Sequence, residues 1–351
     1  MEADAQHIGG ADASFFYALS HNLDNMSYIE IRGGARTTRK EEILHIFPDF
    51  MRSEWEWVAE QADCLQEIRL RVNQPVTLLM DNREWFLSKE GRVTQDISCA
   101  SRSSEKELET ILTHVCHYSV YAFADEIRQG FLTIPGGHRI GLSGQVILEN
   151  RDQIRNLKYI RYLNVRIAHE IKGVSDPLLP GLYDDKGEPY NTLLISPPGC
   201  GKTTMLRDLV RNVSNGNDYG RGVNVSVVDE RSEIAGSYLG IAQNDVGIRT
   251  DVLDSCPKTE GMMMLIRSMA PRVLAVDELG SEGDIQALRT ASGCGCRLFA
   301  TIHGSSLEEV KCKKFMYGVI ADKLFDRYVV LTRKNGSCEV EGIYTGEGAD
   351  V

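Results

Sequence analysis

The sequence lacks a long hydrophobic run and a recognisable secretory signal. No apolar stretch reaches the roughly 18 residues of a membrane span, so no transmembrane helix is predicted. The first 40 or so residues are mixed and polar, without a basic start that leads into an apolar core. We therefore expect a cytoplasmic protein, whose contact with a membrane would be peripheral and made through partner proteins.

A regular cysteine framework and an excess of positive charge are missing as well. The nine cysteines are irregularly spaced and odd in number, which fits reduced thiols better than disulfides. Cys294 and Cys296 form a C-x-C pair without the second pair of a zinc site, so small buried residues are the favoured interpretation. The formal net charge of −11 argues against a surface that binds nucleic acid throughout, and no nucleic-acid partner is expected.

Composition and length allow two globular domains. The 351 residues are 42% apolar and 25% charged, with no internal repeat. Residues 1–38 lack periodicity and are predicted to be a loosely ordered extension. Residues 39–175 mix helical and strand patterns and predict a small α+β domain, and the proline-rich, acidic residues 176–190 have the composition of a linker. The elements predicted in residues 39–175 are helical spacing at 39–64 interrupted by Pro48, a helix at 104–120 capped by Ser104 and Glu107, and strands at 65–72, 130–134, 138–142 and 162–167.

The pattern changes in residues 191–351. Short, unbroken apolar runs alternate with helical segments, and this alternation predicts a parallel sheet covered on both faces. A hairpin signal around Asn335-Gly336 follows near the end. The predicted fold class is α/β, a P-loop NTPase (RecA-like) parallel-sheet domain after a smaller N-terminal α+β domain. The apolar runs are 192–195, 223–228, 273–276 and 298–301, and the helical segments are 203–212, 259–269 and 283–291.

A phosphate-binding loop follows the first of these runs and opens a helix. In this Walker A pattern, backbone N–H groups and the helix N-terminus hold a polyphosphate. Lys202 is expected to reach the β- and γ-phosphates, and Thr203 to offer its hydroxyl to Mg²⁺. A serine stands at the first position in place of glycine, which should cost some backbone freedom but no phosphate contact. The predicted ATP-binding residues are Ser196, Pro197, Pro198, Gly199, Cys200, Gly201, Lys202, Thr203 and Thr204.

A second apolar strand ends in Asp277-Glu278, the Walker B pattern. Asp277 is expected to hold the Mg²⁺ shell with Thr203, and Glu278 to polarise the attacking water. Many strands end in an acidic turn, but downstream of a P-loop the pattern becomes specific.

Two more strands end in residues that suit catalysis, Glu230 and His303. The carboxyl ends of parallel strands line one edge, so we expect Ser196, Glu230, Glu278 and His303 to converge on the γ-phosphate. The alternatives are that Glu230 or Glu233 caps a helix and that His303 is an ordinary loop histidine.

Together, the P-loop, the acidic box after the next strand, the Asp-Glu motif and a Thr-x-His-Gly box resemble the secretion ATPases of type II and type IV systems. More narrowly, several strings resemble the stage III sporulation protein AA family of endospore-forming bacteria, over about residues 39–345. The strings are LQEIRLRV at 65–72, PGGHRIG at 135–141, ISPPGCGKTT at 195–204, VDERSEIAG at 228–236 and NDVGIRTDVLD at 244–254.

The resemblance implies a ring-forming, hexameric ATPase beneath a membrane-embedded sporulation complex. It also implies an acidic-box role for Glu230 and a γ-phosphate sensor role for His303. Arginines of the N-terminal domain reach a neighbouring nucleotide in secretion ATPases, and Arg139 and Arg166 best match those positions. Arg249 is a third candidate. For each arginine the alternative is a structural or merely solvated side chain.

Three functions remain open from sequence. The favoured one is a mechanochemical, Mg-ATP-hydrolysing motor that acts on a membrane partner. A nucleic-acid translocase is the second, although the acidic balance and the lack of interleaved basic and aromatic residues disfavour it. A nucleotide-binding assembly switch without significant turnover is the third, and Glu278 beside Asp277 argues against it.

Overall fold

Two seven-stranded sheets organise the chain. The computed structural model describes residues 38–150, 153–334 and 337–351, so the predicted extension falls almost wholly outside the described residues. Both sheets lie within one compact unit, Arg39–Val351, and the division into two domains at residues 176–190 stays a prediction. The helices are α1 (Arg39–His45), α2 (Arg52–Glu60), α3 (Glu105–Val115), α4 (Ala124–Gln129), α5 (Lys202–Asn215), α6 (Lys258–Met269), α7 (Glu282–Gly293), α8 (Leu307–Lys311) and α9 (Tyr317–Ala321).

The N-terminal sheet is antiparallel in all its described pairings, in the order β4-β3-β2-β1-β7-β6-β5. Helices cover one of its faces, where Ile68 and Leu70 of the first strand pack against Trp55 of α2 and Ile111 of α3. The predicted capping box of α3 is present, since Ser104 and Glu107 exchange hydrogen bonds. The strands are β1 (Leu65–Arg71), β2 (Thr77–Met80), β3 (Arg83–Leu87), β4 (Val93–Thr94), β5 (Phe131–Thr133), β6 (Arg139–Asn150) and β7 (Gln153–Arg166).

β6 and β7 are longer than their sequence patterns predicted. The patterns at 138–142 and 162–167 cover only the part of each strand that lies in the sheet. Beyond them the two strands pair with each other, from Gln145 opposite Lys158 to Asn150 opposite Gln153. Residues 145–149 and 154–158 are exposed except for the half-buried Leu157, so apolar and polar residues do not alternate there as in a half-buried strand.

The C-terminal sheet has the predicted parallel architecture, in the order β12-β11-β13-β14-β8-β15-β16. All four apolar runs become neighbouring or near-neighbouring strands, and β16 alone among its described strands runs antiparallel. The strands are β8 (Thr192–Ser196), β11 (Val225–Asp229), β12 (Thr250–Asp254), β13 (Val273–Val276), β14 (Arg297–His303), β15 (Arg327–Lys334) and β16 (Ser337–Thr345), and a separate ribbon joins β9 (Gly216–Asn217) to β10 (Gly220–Arg221).

Both faces of the C-terminal sheet are buried. Alternate residues of β8 point to opposite sides, so that Leu193 packs in one apolar cluster and Leu194 in another. One cluster includes Met262 of α6, and the other includes Leu206 of α5. This two-sided burial explains why the strands are continuous apolar runs.

The segment 176–190, whose composition is that of a linker, is partly packed. Asp176–Gly181 forms a 3₁₀ helix, and Leu178, Leu179 and Leu182 are buried in the same cluster as α5. Composition points to the prolines and acids of this segment, whereas its leucines decide where it packs.

The two cysteines of the C-x-C pair lie in different environments. Cys296 is buried and its thiol donates to the Pro271 carbonyl oxygen, while Cys294 is exposed.

In the part of the chain that the structure describes, no helix is both long and apolar enough to cross a membrane.

Candidate nucleotide-binding site

The phosphate loop connects β8 to α5. Gly199 and Gly201 have positive φ angles of 71° and 87°, a backbone region that glycine adopts without strain. A Cβ atom on Gly199 would have no neighbour within 4 Å, so the loop is open above this residue. Ser196 is the last residue of β8 and is fully buried in extended conformation. The serine therefore does not need the backbone freedom of glycine, contrary to the expected cost.

Lys202, Glu278 and His303 meet at the edge of the sheet. The Lys202 Nζ atom donates to Glu278 Oε1 at 2.8 Å, and His303 Nε2 lies 3.0 Å from the same oxygen and 3.4 Å from Nζ. Lys202 is only 5% exposed, so its charge is directed into the site instead of into solvent. His303 lies directly beside Ser196 in the β14–β8 register.

A second set of contacts holds the Walker B aspartate beside the phosphate loop. Thr203 Oγ1 donates to Asp277 Oδ2, and Thr301 Oγ1 donates to the other carboxylate oxygen, Oδ1. The Thr301 hydroxyl also accepts the backbone N–H of Glu278 at 2.8 Å. Thr301, the first residue of the Thr-x-His-Gly box, thus orients both acidic residues.

These residues fit magnesium and a polyphosphate. Mg²⁺ prefers oxygen ligands and is usually bound by one or two protein groups together with phosphates and water. Thr203 and Asp277 are adjacent oxygen donors of that kind, at the start of a 14-residue helix whose N-terminus favours anions. Lys202 adds a nearly buried cation with no competing solvent shell.

Glu278 is held in an unusual backbone conformation and in a cationic environment. Its φ of 55° lies in the left-handed region, which costs about 1 kcal/mol or more for a non-glycine residue. Burial raises the pKa of the carboxyl group, but Lys202, then Arg231 and His303, outweigh this and hold the pKa below its usual range. Glu278 is therefore ionised at neutral pH.

The structure does not bring Glu230 to this cluster. Its carboxylate instead accepts from Lys258 Nζ at 2.6 Å, at the start of α6. Arg231, the next residue, contacts the cluster instead, because its Nη1 atom donates to Glu278 Oε2 at 2.8 Å. Sequence reasoning singled out the acids of the DERSE box and missed its arginine, although a cation between two acids was a visible signal.

The candidate arginines lie in three different environments. Arg139 Nη1 donates to Glu233 Oε1 of the same chain at 2.9 Å. Arg166, its partner across β6 and β7, has a side chain that is 61% exposed. Arg249 donates to the Ser214 carbonyl oxygen at 2.9 Å, which favours the structural interpretation for this residue.

Comparison with solved structures shows that the fold of this chain is similar to the folds of two proteins, the ATPase DotB and the motor PilT. The ATPase DotB of Legionella pneumophila superposes with a TM-score of 0.55 at 14% identity, covering 86% of this chain and 81% of DotB. The pilus retraction motor PilT, solved with bound ADP, superposes with a TM-score of 0.52 at 12% identity, covering 82% of this chain and 81% of PilT.

Sequence comparison gives a narrower result. Stage III sporulation protein AA of Bacillus subtilis is 39% identical over 308 residues, which are 88% of this chain and 95% of that protein. The ycf45 protein of Cyanidium caldarium is 31% identical over 146 residues, 41% of each chain. Residues 37–351 match the family described as sporulation stage III, protein AA, and the chain therefore belongs to this family.

Proposed function

We propose that this protein binds Mg-ATP and hydrolyses it, and that it works as a ring-forming motor for a membrane-embedded sporulation complex. The observation that carries the ATPase proposal is the meeting of Lys202, Glu278 and His303 beside Thr203 and Asp277. The fold of DotB and PilT, and the family membership, agree with it.

The arrangement suggests how this chain's residues would share the work. Lys202, paired with Glu278 in this structure, would turn to the β- and γ-phosphates. Its departure would leave Glu278 Oε1 available to accept a proton from the attacking water. His303, on the same oxygen, is placed to sense the γ-phosphate. Mg²⁺ bound near Thr203 and Asp277 would neutralise charge that develops on the phosphates.

Assembly into a ring, which we take to be a hexamer, rests on the resemblance to secretion ATPases. In such a ring, an N-terminal arginine of one subunit could stabilise the γ-phosphate of the next. Arg166 suits this role better than Arg139, because its side chain is 61% exposed and lies 4.0 Å from its carboxylate partner Glu67, whereas Arg139 is 21% exposed and bonds Glu233 at 2.9 Å.

An ATPase assay with and without DNA or RNA, combined with mass determination in Mg-ATP, tests the proposal. We expect turnover that nucleic acid does not stimulate, together with an ATP-dependent ring. Strong stimulation by DNA or RNA would favour a translocase, and tight binding without phosphate release would favour a switch. No ATP binding would end the proposal.

A further inference from the structure

The loop between β11 and β12, residues 230–249, contacts both Glu278 and the N-terminal sheet. We propose that Arg231, on this loop, is a positioning residue that holds the Glu278 carboxylate for catalysis and makes its placement depend on the N-terminal sheet. This inference rests on the proposed ATPase function.

The two carboxylate oxygens of Glu278 have different partners. Oε1 faces Lys202 and His303, the groups closest to the phosphate loop, whereas Oε2 accepts from Arg231 alone among the residues that the structure describes. When Lys202 turns to a bound phosphate, Arg231 continues to hold Oε2. The side chain then stays in one rotamer with Oε1 directed at the site, although its strongest partner has left.

The start of the loop is anchored firmly. Asp229, only 2% exposed, accepts backbone N–H groups of Glu233, Ile234 and Ala235. The Ser232 hydroxyl donates to Asp254 at the end of β12, at 2.6 Å. Arg231 therefore projects from a turn whose backbone is fixed on both sides, so the backbone does not have to be ordered when the guanidinium contacts Glu278.

The rest of the loop is bound to the N-terminal sheet and the segments around it. Glu233 pairs with Arg139 at 2.9 Å, and the Tyr238 hydroxyl lies 2.6 Å from His117 Nε2. Gln243 accepts the backbone N–H of Gly136 at 3.0 Å. A displacement of the N-terminal sheet would therefore pull on the loop that carries Arg231.

The experiment measures kcat and KM of the full-length Arg231→Gln and Arg231→Lys variants. We expect Arg231→Gln to lower kcat about tenfold, the effect of about 1.4 kcal/mol in barrier height, with little change in KM. Arg231→Lys keeps the positive charge and should restore part of the wild-type kcat. Arg272→Gln is the matched control, because Arg272 has similar exposure and a 2.8 Å carboxylate partner at the opposite end of β13.

A double variant separates positioning from direct phosphate contact. If Arg231 acts through Glu278, Arg231→Gln should add nothing to the loss caused by Glu278→Gln. An additional loss in the double variant, or a wild-type kcat in Arg231→Gln, would overturn the inference while leaving the ATPase proposal intact. A wild-type protein without ATP turnover would instead overturn the proposed function.

Discussion

The two sheets of this protein have seven strands each, but they differ in strand direction and in how many of their faces are buried. The C-terminal sheet is mostly parallel and buried on both faces, so the chain can place functional groups only at its carboxyl edge. The N-terminal sheet is antiparallel with one face covered by helices, and it contributes no residue to the Lys202–Glu278–His303 cluster among the contacts described. The cluster therefore lies at the C-terminal sheet, and the N-terminal sheet is linked to it through the 230–249 loop.

In the ATPase that we propose, the two sheets would have different parts. The carboxyl ends of the parallel strands supply the groups of the cluster. The N-terminal region contacts the loop beside them through groups such as Arg139, in β6, and His117, which follows α3. Changes at the edge should therefore abolish activity, and changes at the loop contacts should tune it.

The largest effect is expected from Lys202→Ala. The substitution removes the nearly buried cation that we expect to contact the β- and γ-phosphates, so tight ATP binding should be lost. A nucleotide titration measures this, with Lys323→Ala as the control because Lys323 is an exposed, salt-bridged lysine far along the chain. Unchanged affinity in the Lys202 variant would contradict the assignment of the phosphate loop.

The next effect tests whether the N-terminal sheet contributes to a neighbour's site. Arg166→Ala should reduce turnover by about 10³–10⁵-fold if this exposed arginine stabilises charge in trans. Mixing inactive Arg166→Ala with inactive Lys202→Ala should restore part of the activity, because an intact phosphate loop then meets an intact arginine. Arg155→Ala, an exposed substitution on the same strand, is the control.

No recovery in mixtures shown to co-assemble would mean that Arg166 acts within its own chain or not at all. The ATPase assignment would survive that result, but the shared-site mechanism would not.

The smallest effect is expected from Tyr238→Phe. The change removes a single hydrogen bond, to His117, and keeps the ring, so it should cost about 1 kcal/mol of folding free energy. Thermal denaturation should show a decrease of only a few degrees in Tm, larger than that of Tyr219→Phe, whose ring is half-exposed. An unchanged Tm would show that this loop contact contributes nothing to stability.

The sequence predicted the C-terminal region well because its signals are local and strong. Buried parallel strands are continuous apolar runs, and the Walker motifs sit where strand ends must lie, so Lys202, Asp277 and Glu278 could be placed without coordinates. β12 was not predicted as a strand. It is the outermost strand of the sheet, and its residues are all half-buried and show no clear apolar pattern.

Side-chain direction could not be predicted in the same way. Glu230 and Arg231 are neighbours at the end of β11, and sequence gives no means to tell which of them turns toward Glu278. The choice depends on Lys258 at the start of α6, which attracts Glu230, and on the Asp229-anchored turn. The burial of the leucines in residues 176–190 was not predicted, because the surface that covers them belongs to other elements and cannot be read from local composition.

Parallel measurement of ATP affinity and phosphate release for Glu278→Gln tests the central claim most directly. The amide keeps the shape of the side chain but is a poor proton acceptor, so we predict wild-type-like affinity for Mg-ATP and turnover lowered by about 10²–10⁴-fold. A Glu278→Gln protein that releases phosphate at the wild-type rate would contradict the account.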